Sequence, residues 1–122
     1  MARLCGEDIQ VIEKNRIGFT KKFSELYRVS MVVKSDVSLV SLIKEDGTQR
    51  LYLNVTGNSG LATAGSGDVL SGVIASLIAQ GNSENNSLLY GVMIHGMAAD
   101  KFAVDEDSRR KMMAGDIVES IF

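Results

Sequence analysis

Residues 56–70 read TGNSGLATAGSGDVL and run directly into VLSGVIASLIAQG, residues 69–81. Four glycines, Gly57, Gly60, Gly65 and Gly67, precede a single carboxylate, Asp68. Val69, Leu70, Val73, Ile74, Leu77 and Ile78 then recur at the spacing of a helix with one buried stripe, and Gly81-Asn82 supplies its stop. A glycine-rich turn feeding a helix start holds anions on backbone N–H groups. An acid there stands where a phosphate would otherwise sit, unless it takes part in the chemistry.

The chemistry that reconciles the two is phosphoryl transfer to a hydroxyl. With a helix opening near Asp68, the N–H groups of Gly65, Ser66, Gly67 and Asp68 would converge on one point. Fixed N–H dipoles stabilise the spread charge of a transferring phosphoryl group. A carboxylate on the first turn can take the proton of the attacking hydroxyl, and the helix dipole favours its charged form. Local chemistry alone leaves a plain turn open, because Asp is a common helix cap and glycines often do no more than turn a chain. The segment lacks the Gly-Lys-Ser/Thr of a Walker A loop and the G-x-G-x-x-G of a dinucleotide fingerprint, which disfavours both of those classes.

Outward from this segment the chain reads as α/β. Residues 7–28 place Ile9, Ile12, Ile17, Phe19, Phe23, Leu26 and Tyr27 at mainly helical intervals, with Gly18 weakening the middle, so one bent helix or two short ones fit. Three β-rich runs follow at residues 31–34, 38–43 and 50–53, the first unalternating as a buried strand would be. Glu45-Asp46-Gly47 is a hairpin signal between the second and third. Beyond residue 81 a helix is expected to open at Asn86 or Ser87 and to carry Leu88, Leu89, Val92, Met93, Gly96, Ala99 and Phe102. A polar stretch over residues 105–111 precedes a last helix near residues 115–122; within it Ser108-Arg109-Arg110-Lys111 reads as a solvated loop, with phosphate binding as the lesser alternative. The order is α, β, β, β, α, α, α.

Bulk properties exclude more than they assign. The 122 residues amount to one domain at most, with 45% hydrophobic and 23% charged residues. Net charge is −2, divided into +2 over residues 1–56 and −4 over residues 57–122. Neither half is a basic patch, so no nucleic acid and no anionic membrane is expected as the main partner. The lone Cys5 has no metal-ligand spacing around it and reads as an inert thiol, and no metal-ligand set is expected anywhere. The start, MARLCGEDIQ, is too polar for a signal peptide and the apolar runs are too short to span a bilayer, which together predict a cytoplasmic protein. His95, the one histidine, reads as a packed or interface residue. Met93, Met97, Met112 and Met113 read as core and interface filler.

The block NVTGNSGLATAGSGDVLSGVIASLIAQG, residues 54–81, resembles the signature of the ADP/ATP-dependent NAD(P)H-hydrate dehydratases in the ribokinase-like superfamily, T-G-N-P-G-M-A-T-G-G-T-G-D-V-L-T-G-I-I-A-x-L-x-A-Q-G. GVMIHGMAAD, residues 91–100, resembles the family's G-V-x-x-H-G-x-A-G-D. MMAGDIVESI resembles its closing A-S-D-I-I segment, MVVKSDVSLV its L-K-G-A-x-T-x-I, and MARL its internal G-E-M-A-R-L. The resemblance covers nearly the whole chain and implies the C-terminal part of a ribokinase-like domain over residues 1–122, a sheet of about three strands packed with several helices. It implies a substrate, NADHX or NADPHX, hydrated on the dihydropyridine ring. ATP or ADP would phosphorylate the ring hydroxyl, with Mg2+ neutralising the phosphates, and loss of phosphate would restore NADH or NADPH. Asp68 matches the catalytic base, and Gly65, Ser66 and Gly67 match the anion hole, Gly67 also lying near the nucleotide. Lys34, Ser35, Asp36, Val37 and Ser38 match the turn that contacts the adenine nucleotide, and Asn58 with Asp68 matches the contacts to the hydrate.

The departures are specific. Ser59 replaces the family's proline. Lys34-Ser35-Asp36 replaces its Lys-Gly-Ala, which brings a negative charge to a phosphate-facing turn. The family's His-Pro-Gly-Glu segment, which lies upstream of the matched region and helps hold the hydrate, has no counterpart in these residues, so Met1 matches an internal position of a longer protein. Another ribokinase-like small-molecule kinase and a non-catalytic nucleotide-binding or oligomerisation remnant are the alternative readings. The same departure predicts weak or no dehydratase turnover by these residues alone. A three-stranded sheet has an open edge that favours self-association. Sedimentation is expected to give a homo-oligomer, and a clean monomer would refute this.

Overall fold

The computed structural model describes residues 1–121 and resolves two compact units, Met1–Leu53 and the remainder from Asn54. In the first, α1 (Ala2–Cys5), α2 (Ile9–Lys14) and α3 (Arg16–Tyr27) precede β1 (Met31–Val33), β2 (Ser38–Ile43) and β3 (Gln49–Asn54), which passes into the second unit. The second continues with a 3-10 turn (Ser59–Ala62), α4 (Ser66–Ala79), α5 (Glu84–Phe102), α6 (Glu106–Lys111) and α7 (Ala114–Ile121).

The two-helix reading of residues 7–28 holds, but the break is at Asn15 rather than Gly18. Asp8 caps α2 by accepting from the Gln10 N–H, and the Asn15 side chain accepts from the Gly18 N–H to open α3. Asparagine satisfies an orphan donor at the helix start, while Gly18 is tolerated inside the helix. The sheet order is β1-β2-β3, with Met31 opposite Ser41 and Val33 opposite Leu39 in an antiparallel pair. This corrects the reading of the first run as the buried strand. β1 is an edge and only half-buried, whereas Leu39, Val40, Ser41 and Leu42 of the central β2 are buried. The hairpin forms where expected, its turn closed by the Lys44 N–H donating to the Thr48 carbonyl at 2.9 Å.

Burying Ser41 in β2 demands partners, because an unsatisfied hydroxyl costs about 1–3 kcal/mol. Gln49 Nε2 donates to Ser41 Oγ (3.2 Å), Ser41 Oγ to Ser24 Oγ (2.8 Å), and Ser24 Oγ to the Val29 carbonyl (2.6 Å). This relay ties α3 to the hairpin.

The β1–β2 connection, residues 34–37, is pinned from α3. Arg16 Nη1 lies 3.2 Å from Asp36 Oδ1, and Nη2 donates to the Val37 carbonyl at 3.0 Å. Ser35 Oγ donates to the same Asp36 oxygen at 2.8 Å. The Ser35 hydroxyl first, then the Val37 N–H and Arg16, lower the Asp36 pKa from its ordinary 3.8 to about 2.

In the second unit, Ala98, Ala99, Met112 and Ile117 form the buried core, with Leu61, Val69, Phe102, Ala103 and Ile121 packed on it. Of the four methionines read as filler, Met112 fills the core while Met93, Met97 and Met113 are exposed. Of the expected α4 stripe only Leu70 is fully buried, and Ile78 is 43% exposed. Helix α4 ends as read, with Gly81 at φ 89° and the Gly81 and Asn82 N–H groups returned to Ile78 and Leu77. Helix α5 opens earlier than Asn86 or Ser87, because Ser83 takes an extended backbone and accepts from the Asn86 N–H. The polar stretch after residue 104 is a helix and not a loop. Asp105 and Ser108 form a reciprocal capping box that starts α6, and pairs from Glu106 and Asp107 to Arg110 and Lys111 lie along it. The last helix spans Ala114–Ile121, and Phe122, included in the expected range, lies outside the described residues.

Two predictions follow from packing and charge. A Cβ at Gly96 would stand 2.2 Å from Thr56 Oγ1 and 2.7 Å from the Thr56 carbonyl carbon, whereas one at Gly72 meets nothing within 4 Å. Gly96→Ala should therefore cost about 1–3 kcal/mol and Gly72→Ala should gain roughly 0.4–1 kcal/mol in denaturant unfolding. Equal effects would refute the assignment. Because folding lowers the Asp36 pKa, its contribution is present above the ordinary carboxylate pKa and is lost as pH falls from 3.8 to about 2. Asp36→Asn should lower the melting temperature in the neutral range, flatten its pH dependence between these limits, and converge with the parent near pH 2.

Candidate functional site

The glycine-rich segment is laid on one face of α5. Thr56 Oγ1 shares its one proton between Asn54 Oδ1 at 3.0 Å and the Met93 carbonyl at 3.3 Å. The chain passes Gly96 so closely that no side chain fits there, and Gly57 takes φ 100°. One turn further along α5, Asp100 accepts from the Gly57 N–H through Oδ2 (2.8 Å) and from Asn58 Nδ2 through Oδ1 (3.0 Å). Met93, Gly96 and Asp100 are spaced i, i+3 and i+7, one stripe of the helix.

Asn58 passes the restraint on. Its Oδ1 accepts from the Gly60 N–H at 3.0 Å and its carbonyl from the Leu61 N–H at 3.1 Å, which winds the 3-10 turn. Gly60 is buried, and a Cβ on it would lie 2.8 Å from the Arg109 carbonyl oxygen. The Leu61 carbonyl in turn accepts from Ser66 Oγ at 2.7 Å, fixing the first residue of α4. His95 Nε2 lies 2.9 Å from the Ser66 carbonyl oxygen, and the ring is 7% exposed. This is the packed histidine the sequence suggests, set against the start of α4.

Helix α4 opens at Ser66, two residues before the expected start, because Gly65 adopts φ 86° and serves as its N-cap. The left-handed conformation favours glycine, and a Cβ would approach Ala114 Cβ of α7 to 3.1 Å. Four converging N–H groups are accordingly too many. The Asp68 N–H donates to the Gly65 carbonyl at 3.0 Å, and the Ser66 N–H makes a long bond, 3.4 Å, to Thr63. Among the described residues the N–H groups of Gly65 and Gly67 have no protein acceptor. These two are the donors left for an anion.

Asp68 occupies the third position of α4 and is exposed. Among the described residues its carboxylate has neither a hydrogen bond nor an ion pair. It can therefore accept a proton from a bound hydroxyl without first breaking a protein contact. Asn58, expected as a substrate contact, has both ends of its amide bonded within the protein.

Of the remaining sequence-selected residues, Lys34, Ser35, Asp36, Val37 and Ser38 lie in the first unit, and Asn58 and residues 65–68 in the second. Lys34 is exposed and has no ion pair among the described residues. The charge that Asp36 brings is matched by Arg16. Ser35, at the family's glycine, takes no positive φ. Among the described residues no three His, Cys, Asp or Glu side chains gather as a metal site. No helix there is long and apolar enough to cross a membrane. Sequence reading did not single out Asp100. Its signal was present in the stripe spacing with Met93 and Gly96, but helix periodicity reports apolar faces and passes over a carboxylate on one.

The family model for NAD(P)H-hydrate dehydratase matches residues 1–122. The bifunctional NAD(P)H-hydrate repair enzyme of Moorella thermoacetica is 37% identical over 119 residues, 98% of this chain and 22% of that protein. The ADP-dependent (S)-NAD(P)H-hydrate dehydratase of Neisseria meningitidis is 35% identical over 116 residues, 95% of this chain and 38% of its own. The crystal structure of the ADP/ATP-dependent NAD(P)H-hydrate dehydratase from Bacillus subtilis, co-crystallised with ATP/Mg2+, superposes with a TM-score of 0.87 at 26% identity. It covers 98% of this chain and 42% of that one. The chain thus spans from about a fifth to about two-fifths of the length of these relatives. By sequence and by fold, with the glycine-rich turn and its acid inside the matched region, this chain belongs to the NAD(P)H-hydrate dehydratase family.

Proposed function

We propose that this chain carries the phosphoryl-transfer half of a site for ADP/ATP-dependent dehydration of NADHX or NADPHX. The observation that carries the reading is the exposed, unpartnered Asp68 carboxylate on the first turn of α4, beside the two acceptor-free N–H groups of Gly65 and Gly67. Asp68 takes the proton of the ring hydroxyl as the hydroxyl oxygen attacks the terminal phosphorus of the nucleotide, and the bond from that phosphorus to its bridging oxygen breaks to release ADP from ATP or AMP from ADP. The Gly65 and Gly67 N–H groups, with the N-terminal dipole of α4, stabilise the negative charge on the transferring group. Ser66, held through its hydroxyl and carbonyl, keeps the turn in shape. The C–O bond of the resulting ester then breaks, inorganic phosphate leaves with the electron pair, and loss of a proton from the adjoining ring carbon restores the double bond.

The turn comprising Lys34, Ser35, Asp36, Val37 and Ser38 is the proposed nucleotide contact, with Lys34 supplying positive charge and Arg16 offsetting Asp36. The donor set fits Mg2+ carried on the nucleotide phosphates, since the described residues offer no cage of carboxylates. When bound, the ion would neutralise phosphate charge. Asn58 shapes the loop that meets the hydrate. A homo-oligomeric, cytoplasmic protein is part of the same proposal.

The test is a turnover assay with the hydrate, ADP or ATP, and Mg2+, read as the return of reduced nicotinamide absorbance. Slow nucleotide-dependent turnover is expected, and Asp68→Asn should lower it by about 100-fold or more while nucleotide affinity stays within about threefold. Turnover that survives Asp68→Asn, or that another small alcohol supports better than the hydrate, would overturn the proposal.

A further inference from the structure

We propose that Asp100 is a positioning residue for the phosphoryl-transfer turn, acting through a reciprocal carboxylate–amide pair with Asn58. This rests on the reading of residues 65–68 as the site. Three connected observations carry it. The Asp100 carboxylate uses both oxygens, one on the Gly57 N–H at 2.8 Å and one on Asn58 Nδ2 at 3.0 Å. The other end of the Asn58 amide accepts from the Gly60 N–H at 3.0 Å. The turn so wound presents the Leu61 carbonyl to Ser66 Oγ at 2.7 Å, two residues before Asp68. The backbone and carboxylate atoms in this path have fixed donor or acceptor roles, and these orient the Asn58 amide and the Ser66 hydroxyl, so the path has a direction. Asp100 must accept twice, and Asn58 must donate toward α5 and accept from Gly60.

The same bonds rule out generic packing as the explanation. Asp100 is exposed, so it contributes no buried apolar surface. Its two partners lie in one loop, and a carboxylate accepting from an N–H makes a stronger bond than a neutral acceptor does. Neither group is drawn away by an ion pair among the described residues. Asp100 therefore sets where the 3-10 turn, and with it the start of α4, sits against α5.

The fixed roles give a decisive test. Asp100→Asn alone sets two amide nitrogens against each other unless the Asn58 amide flips and abandons Gly60. Asn58→Asp alone sets two carboxylates against each other. The exchange of both satisfies all three bonds again: the amide oxygen at position 100 accepts from Gly57, its nitrogen donates to the carboxylate at position 58, and that carboxylate accepts from Gly60. In the 122-residue chain, each single variant should speed hydrogen exchange of the Gly60 amide by about tenfold and shift the Ser66 and Gly67 amide resonances. The double variant should return exchange to within about threefold of the parent and move the resonances back. In the hydrate assay the single variants should lower kcat with little change in KM for the nucleotide, and the double should recover it. Additive losses in the double, or single variants that leave the Ser66 and Gly67 resonances in place, would overturn the role of Asp100. Absence of turnover in the parent would count against the proposed function, while the exchange and resonance pattern would still decide the positioning role.

Discussion

The second unit depends on the close contact between Thr56 and Gly96. A β-strand that must become a glycine-rich turn has to leave its sheet with its backbone polar groups accounted for. Here Thr56 and Gly57 run directly over α5, where the missing side chain at Gly96 leaves room for backbone. That proximity brings Thr56 Oγ1 within reach of a helix carbonyl, Met93, and the Gly57 N–H within reach of a helix carboxylate, Asp100. A methyl group at position 96 would separate the two segments and lengthen each of these bonds. The contact is steric in origin and electrostatic in consequence.

Everything downstream follows a single chain of restraints. Asn58 winds the 3-10 turn, Leu61 of that turn holds Ser66, and His95 holds Ser66 from the other side. Gly65 can then complete the turn only in a left-handed conformation, with Ala114 closing the space a side chain would need. The start of α4 is fixed by four elements: the 3-10 turn, α5, α7 and its own cap. Fixed donors are what an anion site requires, because dipoles that need not reorient stabilise developing charge at no cost at the moment of reaction.

Much of this was legible in the sequence, and the failures share a cause. Glycine spacing and apolar periodicity located β2, the hairpin and α4 to within a residue or two, because turns and stripes are set by local sterics and burial. The readings that failed concern polar caps, an edge position and a polar pairing distant in sequence, none of which apolar periodicity reports. Ser83 opening α5 and the Asp105–Ser108 box opening α6 are caps, short-range but easily taken for loop composition. β1 looked buried from its valines, yet burial is decided by its place at the edge, which pattern alone does not report. Asn58 is singled out only by the family resemblance, while its bonds reach 42 residues along the chain to Asp100. Such pairings need the fold before they can be seen.

The apparent contradiction of an acid at an anion site is resolved by counting donors. Four consecutive N–H groups aimed at one point would make Asp68 redundant, since its own N–H would be part of the cradle and its carboxylate would repel the guest. The tight first turn of α4 removes that conflict by returning the Asp68 N–H to the Gly65 carbonyl. Among the described residues this leaves the Gly65 and Gly67 N–H groups without a protein acceptor and the exposed Asp68 side chain without a protein partner. One residue cannot serve as both cradle and base, and under the proposed function the bond from the Asp68 N–H to the Gly65 carbonyl leaves it the second role. The same logic applies to the proposed nucleotide contact in the first unit, where Asp36 would repel phosphate were it bare. Arg16 and Ser35 engage it instead, so that the turn presents Lys34 as its unpaired charge.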